Sequence, residues 1–248
     1  MNWPAIVVAL CVLAAVPVIV LSLFRTPRRF APLFAIVRGA AQLAVLSLIL
    51  GGIITDLHWV AVALAVMAIA AILVAAGRIG FGRRGLLAAA LGVVVGTSLS
   101  GVVIFATGAI EFTPRYLLAF AGITIGNAMS IVTLSGRTFR TSTIDHWDEV
   151  EGWLALGATP RVSTRSIARE ASFSALVPSV DQTRTTGLVV LPGAFVGAIF
   201  GGLSPLEAGV FQILVLAAIL ASGSIAASLT LLVVGNTDRK PIAELLHR

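Results

Sequence analysis

The chain has 248 residues, of which 58% are hydrophobic and only 11% charged, with a mean hydropathy of +1.04 and a net charge of +6. About a quarter of an ordinary soluble domain is charged, so 11 acids and 17 bases cannot coat a soluble fold of this size. One cysteine, Cys11, excludes an intrachain disulfide and a cysteine metal cluster, three scattered histidines (His58, His146, His247) argue against a multi-histidine centre, and Lys240 before Pro241 cannot serve a P-loop.

In chain order, the first apolar run is Ala5–Phe24. It has no basic segment before it and Arg25, Arg28 and Arg29 after it, so it reads as an uncleaved span rather than a signal peptide. Further runs are Leu33–Ile54, Trp59–Ala76, Gly85–Gly108 and Tyr116–Leu134, then Thr186–Leu203 and a seventh within Leu206–Gly235. A crossing needs about 20 mostly apolar residues. The expectation is an all-α polytopic membrane protein with about seven transmembrane helices. Pro17 and Pro192 invite kinks in the first and sixth of them.

The basic residues set the expected orientation. With the N-terminus outside and the C-terminus inside, all bases except Arg115 fall on the inner side, Arg248 included, while Asp56, Glu111 and Glu207 lie outside. The positive charge therefore points to anionic lipid, not nucleic acid. Small residues at four-residue spacing mark packing faces: Ala88, Gly92, Gly96 and Ser100; Gly122, Gly126 and Ser130; Gly193, Gly197 and Gly201.

Between the fifth and sixth runs lies a polar cytoplasmic segment, 136–184. Within it Trp147, Val150, Trp153, Leu154 and Gly157 share one side of a short helix, and Asp145, Asp148, Glu149 and Glu151 gather at its start. Gly157 and Pro160 end it. Arg161, Arg165 and Arg169 form a stripe on the next helix, and 162–177 reads as amphipathic, returning towards the membrane. Two roles stand for the acidic helix: lying on the lipid surface, or docking its apolar anchors into a groove on a soluble partner.

Polar groups within or beside spans are the candidate substrate path. Arg38 and Gln42 lie one turn apart near the inner end of the second run, and Asn127 and Met129 mid-way along the fifth. Asp181, Gln182 and Arg184 are expected at the inner mouth of the sixth, where Pro192 and Gly193 follow, and Gln212 lies in the outer part of the seventh. Each has a plainer role: a snorkelling or phosphate-binding arginine for Arg38, interhelical hydrogen bonding for Asn127 and Gln212, core filling for Met129, and an ion pair at a helix start for Asp181 with Arg184. No carboxylate or histidine is expected inside a span.

Four blocks carry a family resemblance. They are Arg38-Gly39-Ala40-Ala41-Gln42-Leu43, Gly126-Asn127-Ala128-Met129, Glu151 to Thr159 with its Leu-Ala-Leu-Gly-Ala-Thr, and Gly187-Leu188-Val189-Val190-Leu191-Pro192-Gly193. Over nearly its whole length the chain resembles the bacterial iron-exporting ABC permease family (FetB-like), whose plant relatives are linked to aluminium tolerance. The resemblance implies one permease domain over 1–248 without its own ATPase site, in the bacterial cytoplasmic membrane. It implies a homodimer served by separate ATP-binding subunits that hold ATP and Mg, with no cofactor on this chain. Glu149, Glu151, Trp153, Leu154, Leu156, Gly157, Ala158 and Thr159 would then form the coupling segment. Where relatives carry methionines and a glutamine in the sixth run, this chain has Ala194, Phe195 and Ala198. Met129 and Asn127 are left as weak metal ligands. A secondary transporter, or an ABC permease for a non-metal solute, is the alternative.

Overall fold

The computed structural model describes residues 2–53 and 55–241, without side chains for 49–53; Ile54, His247 and Arg248 lie outside the described residues. Among the described residues ten helices form and there is no β-strand. Six of these helices are long and apolar enough to cross a membrane. The chain divides into two units, Met1–Thr55 and Asp56–Arg248.

The first unit is a helical hairpin, α1 (Trp3–Leu23) and α2 (Ala31–Ile53). Asn2 caps α1, with Pro4 in its first turn. Pro17 lies inside α1, which remains one helix. Leu10, Cys11, Ala14, Leu33, Val37 and Ala40 face one another across the hairpin.

The second unit is built on α3 (Leu57–Ile79), α4 (Gly82–Ala106), α5 (Pro114–Asp145) and α10 (Pro205–Val234). Small residues let α4 and α10 meet closely. Ala88, Gly92, Gly96 and Ser100 are all buried. A Cβ on Gly96 would stand 2.6 Å from the Ser222 carbonyl oxygen, and one on Gly92 would stand 2.9 Å from Thr230 Oγ1. The Gly122, Gly126, Ser130 stripe behaves differently: Gly126 and Ser130 are exposed. Gly193, Gly197 and Gly201 are exposed as well. Only the α4 stripe is consumed inside the unit.

Between α5 and α10 run α6 (Trp147–Ala155), α7 (Pro160–Ser163), α8 (Arg165–Thr185) and α9 (Gly193–Phe200). Here the structure corrects the expected sixth span. Thr186–Leu203 is not one helix. Gly187 turns the chain at φ 87°, its N–H donating to the Val190 carbonyl, and α9 has only eight residues. Pro192 does not kink a helix; in extended conformation at φ −65° and ψ 144° it precedes the first residue of α9. Gly202 at φ 101° follows its end. The basic stripe is also split, because Arg161 belongs to α7 and only Arg165 and Arg169 to α8. The amphipathic segment at 162–177 is helical but extends on to Thr185.

Candidate functional site

The segment that carries α6 hangs from the end of α5. With 32 residues at about 1.5 Å each, α5 is about 48 Å long, more than a hydrocarbon layer of about 30 Å requires. After Asp145 the chain reverses into α6, whose C-terminus is a Schellman motif: Ala158 N–H donates to the Trp153 carbonyl and Gly157 N–H to that of Leu154. Gly157 stands at φ 87°, the left-handed conformation that glycine adopts without steric cost.

One face of α6 is locked into the unit. Val150 is fully buried in a cluster with Phe139, Ile167, Leu231 and Val234, with Trp147 and Leu154 packed against it. The opposite face is open. Trp153 is 49% and Leu156 83% exposed, and Glu149, Glu151, Gly157 and Thr159 are exposed beside them, with Ala158 half-buried. Trp153 and Gly157 therefore do not share the face of Val150 as the spacing suggested. The nine-residue helix turns Trp147, Val150 and Leu154 inwards and leaves Trp153 and Leu156 as an outward apolar pair.

The segment is tied to the end of α10. Thr164 donates to the Gly235 carbonyl over 2.6 Å, and Arg161 to that of Leu232 over 3.0 Å. Arg84 from α4 reaches the Asn236 carbonyl over 3.1 Å. This end also holds a cavity of about 520 Å³ lined by Arg84, Arg140, Asp238 and Arg239. At the other end, Glu111, Tyr116 and Glu207 line a cleft of about 360 Å³. The second unit thus has a basic end and an acidic end, joined by its long helices.

The substrate-path candidates divide between the units. Arg38 and Gln42 are exposed on α2, in the first unit. In the second, Asn127 and Met129 are half-buried on α5, and the Asn127 amide donates to the Ile123 carbonyl at 2.9 Å. Met129 packs against the cluster of Val93, Ile125 and Val132, as a filler does. Pro192 is buried and Gly193 exposed at the start of α9. Gln212 is 5% exposed in α10, and its Oε1 has no hydrogen-bond partner among the described residues.

Asp181, Gln182 and Arg184 lie near the C-terminal end of α8. Thr164 is level with Gly235; twelve residues further along α8, Leu176 lies beside Gly223, twelve residues back along α10. The two helices run antiparallel in step. Asp181 and Arg184 form an ion pair at 3.7 Å near the end of α8, not at a helix start. Their side chains are 61% and 75% exposed, on the face opposite Ala171, Ala175 and Ser179, which are buried.

Residues 4–237 match the family model described as an uncharacterised protein family (UPF0014). The chain is 36% identical over 200 residues to the rice UPF0014 membrane protein STAR2, covering 80% of this chain and 70% of that protein. It is 35% identical to the Arabidopsis protein ALUMINUM SENSITIVE 3, over 74% of this chain and 68% of that one. The same identity, over 54% of this chain and 52% of the relative, holds for the Escherichia coli protein named "Probable iron export permease protein FetB". No solved structure matches the chain.

Proposed function

The chain belongs to the UPF0014 family of membrane proteins, and from that premise we propose that it is the permease subunit of an ABC transporter that exports metal cations. ATP is hydrolysed by a separate subunit, which holds the nucleotide and Mg. Two copies of this chain form the transmembrane part in a bacterial cytoplasmic membrane, with the basic end of the second unit inside.

The observation that carries this reading is α6. A short helix with one face buried and an exposed Trp153–Leu156 pair on the other suits insertion into a groove. Lying on anionic lipid suits it less, because Asp148, Glu149 and Glu151 share the helix. The buried face supplies the mechanical link. Val150 touches a cluster drawn from α4, α5, α8 and α10, so a displacement of α6 by a closing ATPase pair is passed to the spans. No catalytic group is needed in this chain.

The test is co-purification with the separate ATPase subunit that this reading requires. Gly157→Arg should abolish association without preventing membrane insertion. Because Gly157 holds φ 87°, Leu156→Glu is the cleaner partner variant, altering the exposed face without straining the turn. Normal co-purification of both variants would sink the assignment.

Transport in vesicles that continues without ATP would instead favour a secondary transporter, which couples through an ionisable group within the membrane.

A further inference from the structure

We propose that the cavity at the basic end of the second unit binds a phosphate group, carried either by an anionic lipid headgroup or by a free phosphate. The site needs neither a partner ATPase nor a cargo, so it stands independently of the permease reading.

Its walls bring positive charge from three parts of the chain. Arg84 comes from the first turn of α4, Arg140 from α5 and Arg239 from the stretch after α10. Among the described residues that line the cavity, Asp238 is the one acid, and it makes no ion pair with Arg84 or Arg239. Arg140 is 5% exposed, so its charge acts in a wall shielded from water, where attraction to an anion is stronger than at an open surface. Arg84 is positioned by its bond to the Asn236 carbonyl, and its guanidinium has further donors.

The backbone adds to this field. Phe81 lines the cavity as the N-cap residue of α4 and gives that helix no side-chain cap, and no acid lies in the first turn. The first N–H groups of a helix lack acceptors within it, and together with the helix dipole they favour an anion. Gly80, Phe81 and Gly82 all have positive φ, at 80°, 63° and 57°. That conformation is strained for an aromatic residue. Here Phe81 packs against Phe139, with ring centres 6.4 Å apart. The turn brings the uncapped end of α4 to the same cavity as Arg140 and Arg239.

Guanidinium groups converging from several directions suit a tetrahedral anion, which offers an oxygen to each, better than a flat carboxylate. A volume of about 520 Å³ exceeds a bare ion and admits a phosphate ester with the group it carries. Arg84 immediately precedes the apolar run Gly85–Gly108, and Arg140 follows the end of Tyr116–Leu134 by six residues. The cavity therefore stands at the ends of the apolar segments of α4 and α5, the level of lipid phosphates.

The test titrates the purified full chain, in a neutral detergent, with phosphatidylglycerol, with phosphatidylcholine and with inorganic phosphate, following the melting temperature. A ligand that binds the folded chain raises it. Phosphatidylglycerol or inorganic phosphate should do so saturably, and phosphatidylcholine, whose ammonium group offsets its phosphate, should not. Saturation by inorganic phosphate assigns a soluble ligand, and saturation by phosphatidylglycerol alone assigns a lipid. Arg239→Gln should weaken the apparent affinity about tenfold, the loss of one charge-assisted hydrogen bond, and Arg84→Gln should act in the same direction. Arg83→Gln removes the same charge from the same turn at a position that does not line the cavity, and should bind as the parent does. No saturable shift with either phosphate ligand would overturn the proposal. So would undiminished binding in both Arg239→Gln and Arg84→Gln, or equal weakening by Arg83→Gln.

Discussion

Thr164 donates its hydroxyl hydrogen to the carbonyl oxygen of Gly235, 71 residues away, over 2.6 Å. The bond joins the start of α8 to the end of α10 and sets the register of the two helices. Thr164→Val keeps the shape and deletes the donor. Leaving a buried carbonyl short of its partner costs about 1–2 kcal/mol. Thermal unfolding of the detergent-solubilised protein should show a melting temperature lower by a few degrees, whereas Ser130→Ala, at an exposed position, should not.

The α4–α10 contact depends on absent side chains. Gly96→Ala sets a methyl group 2.6 Å from the Ser222 carbonyl oxygen, which is backbone and cannot swing aside. Overpacking of this kind costs about 1–3 kcal/mol. Gly126→Ala meets nothing within 4 Å. The first variant should lose folded yield and melting temperature, and the second should match the parent. Equal behaviour of the two would contradict the packing.

Val150 and Trp153 separate stability from coupling. Val150→Ala leaves a gap in the cluster of Phe139, Ile167 and Leu231, costing about 1–3 kcal/mol, and should loosen α6. Trp153→Ala removes a half-exposed side chain and should leave the melting temperature unchanged. Both should reduce stimulation of the partner ATPase, only the first with loss of stability. Stimulation unaffected by Trp153→Ala would remove the outward face from the proposed interface.

Much of this was legible in the sequence because lipid imposes simple rules. Long apolar runs became α1 to α5 and α10, and the Gly157–Pro160 punctuation marked the end of α6. What escaped was the break in the sixth run. Thr186–Leu203 is apolar enough to count as a span, yet Gly187 and Pro192 divide it and leave only the eight-residue α9. Composition does not reveal a turn inside an apolar run; the positive φ of Gly187 does. The facing of α6 was misread because its nine residues leave room for only one buried stripe, and Trp153 lies outside it.

Gln212 offers the last prediction. Its Oε1 is buried without a hydrogen-bond partner among the described residues, and a buried amide oxygen left so costs about 1–3 kcal/mol. On the permease reading Gln212 serves the substrate path, and its unmet oxygen is a cost to folding. Gln212→Met fills similar volume without the amide. It should hold or raise the melting temperature while lowering manganese flux in vesicles. A fall in stability with unchanged flux would make Gln212 an interhelical tie instead.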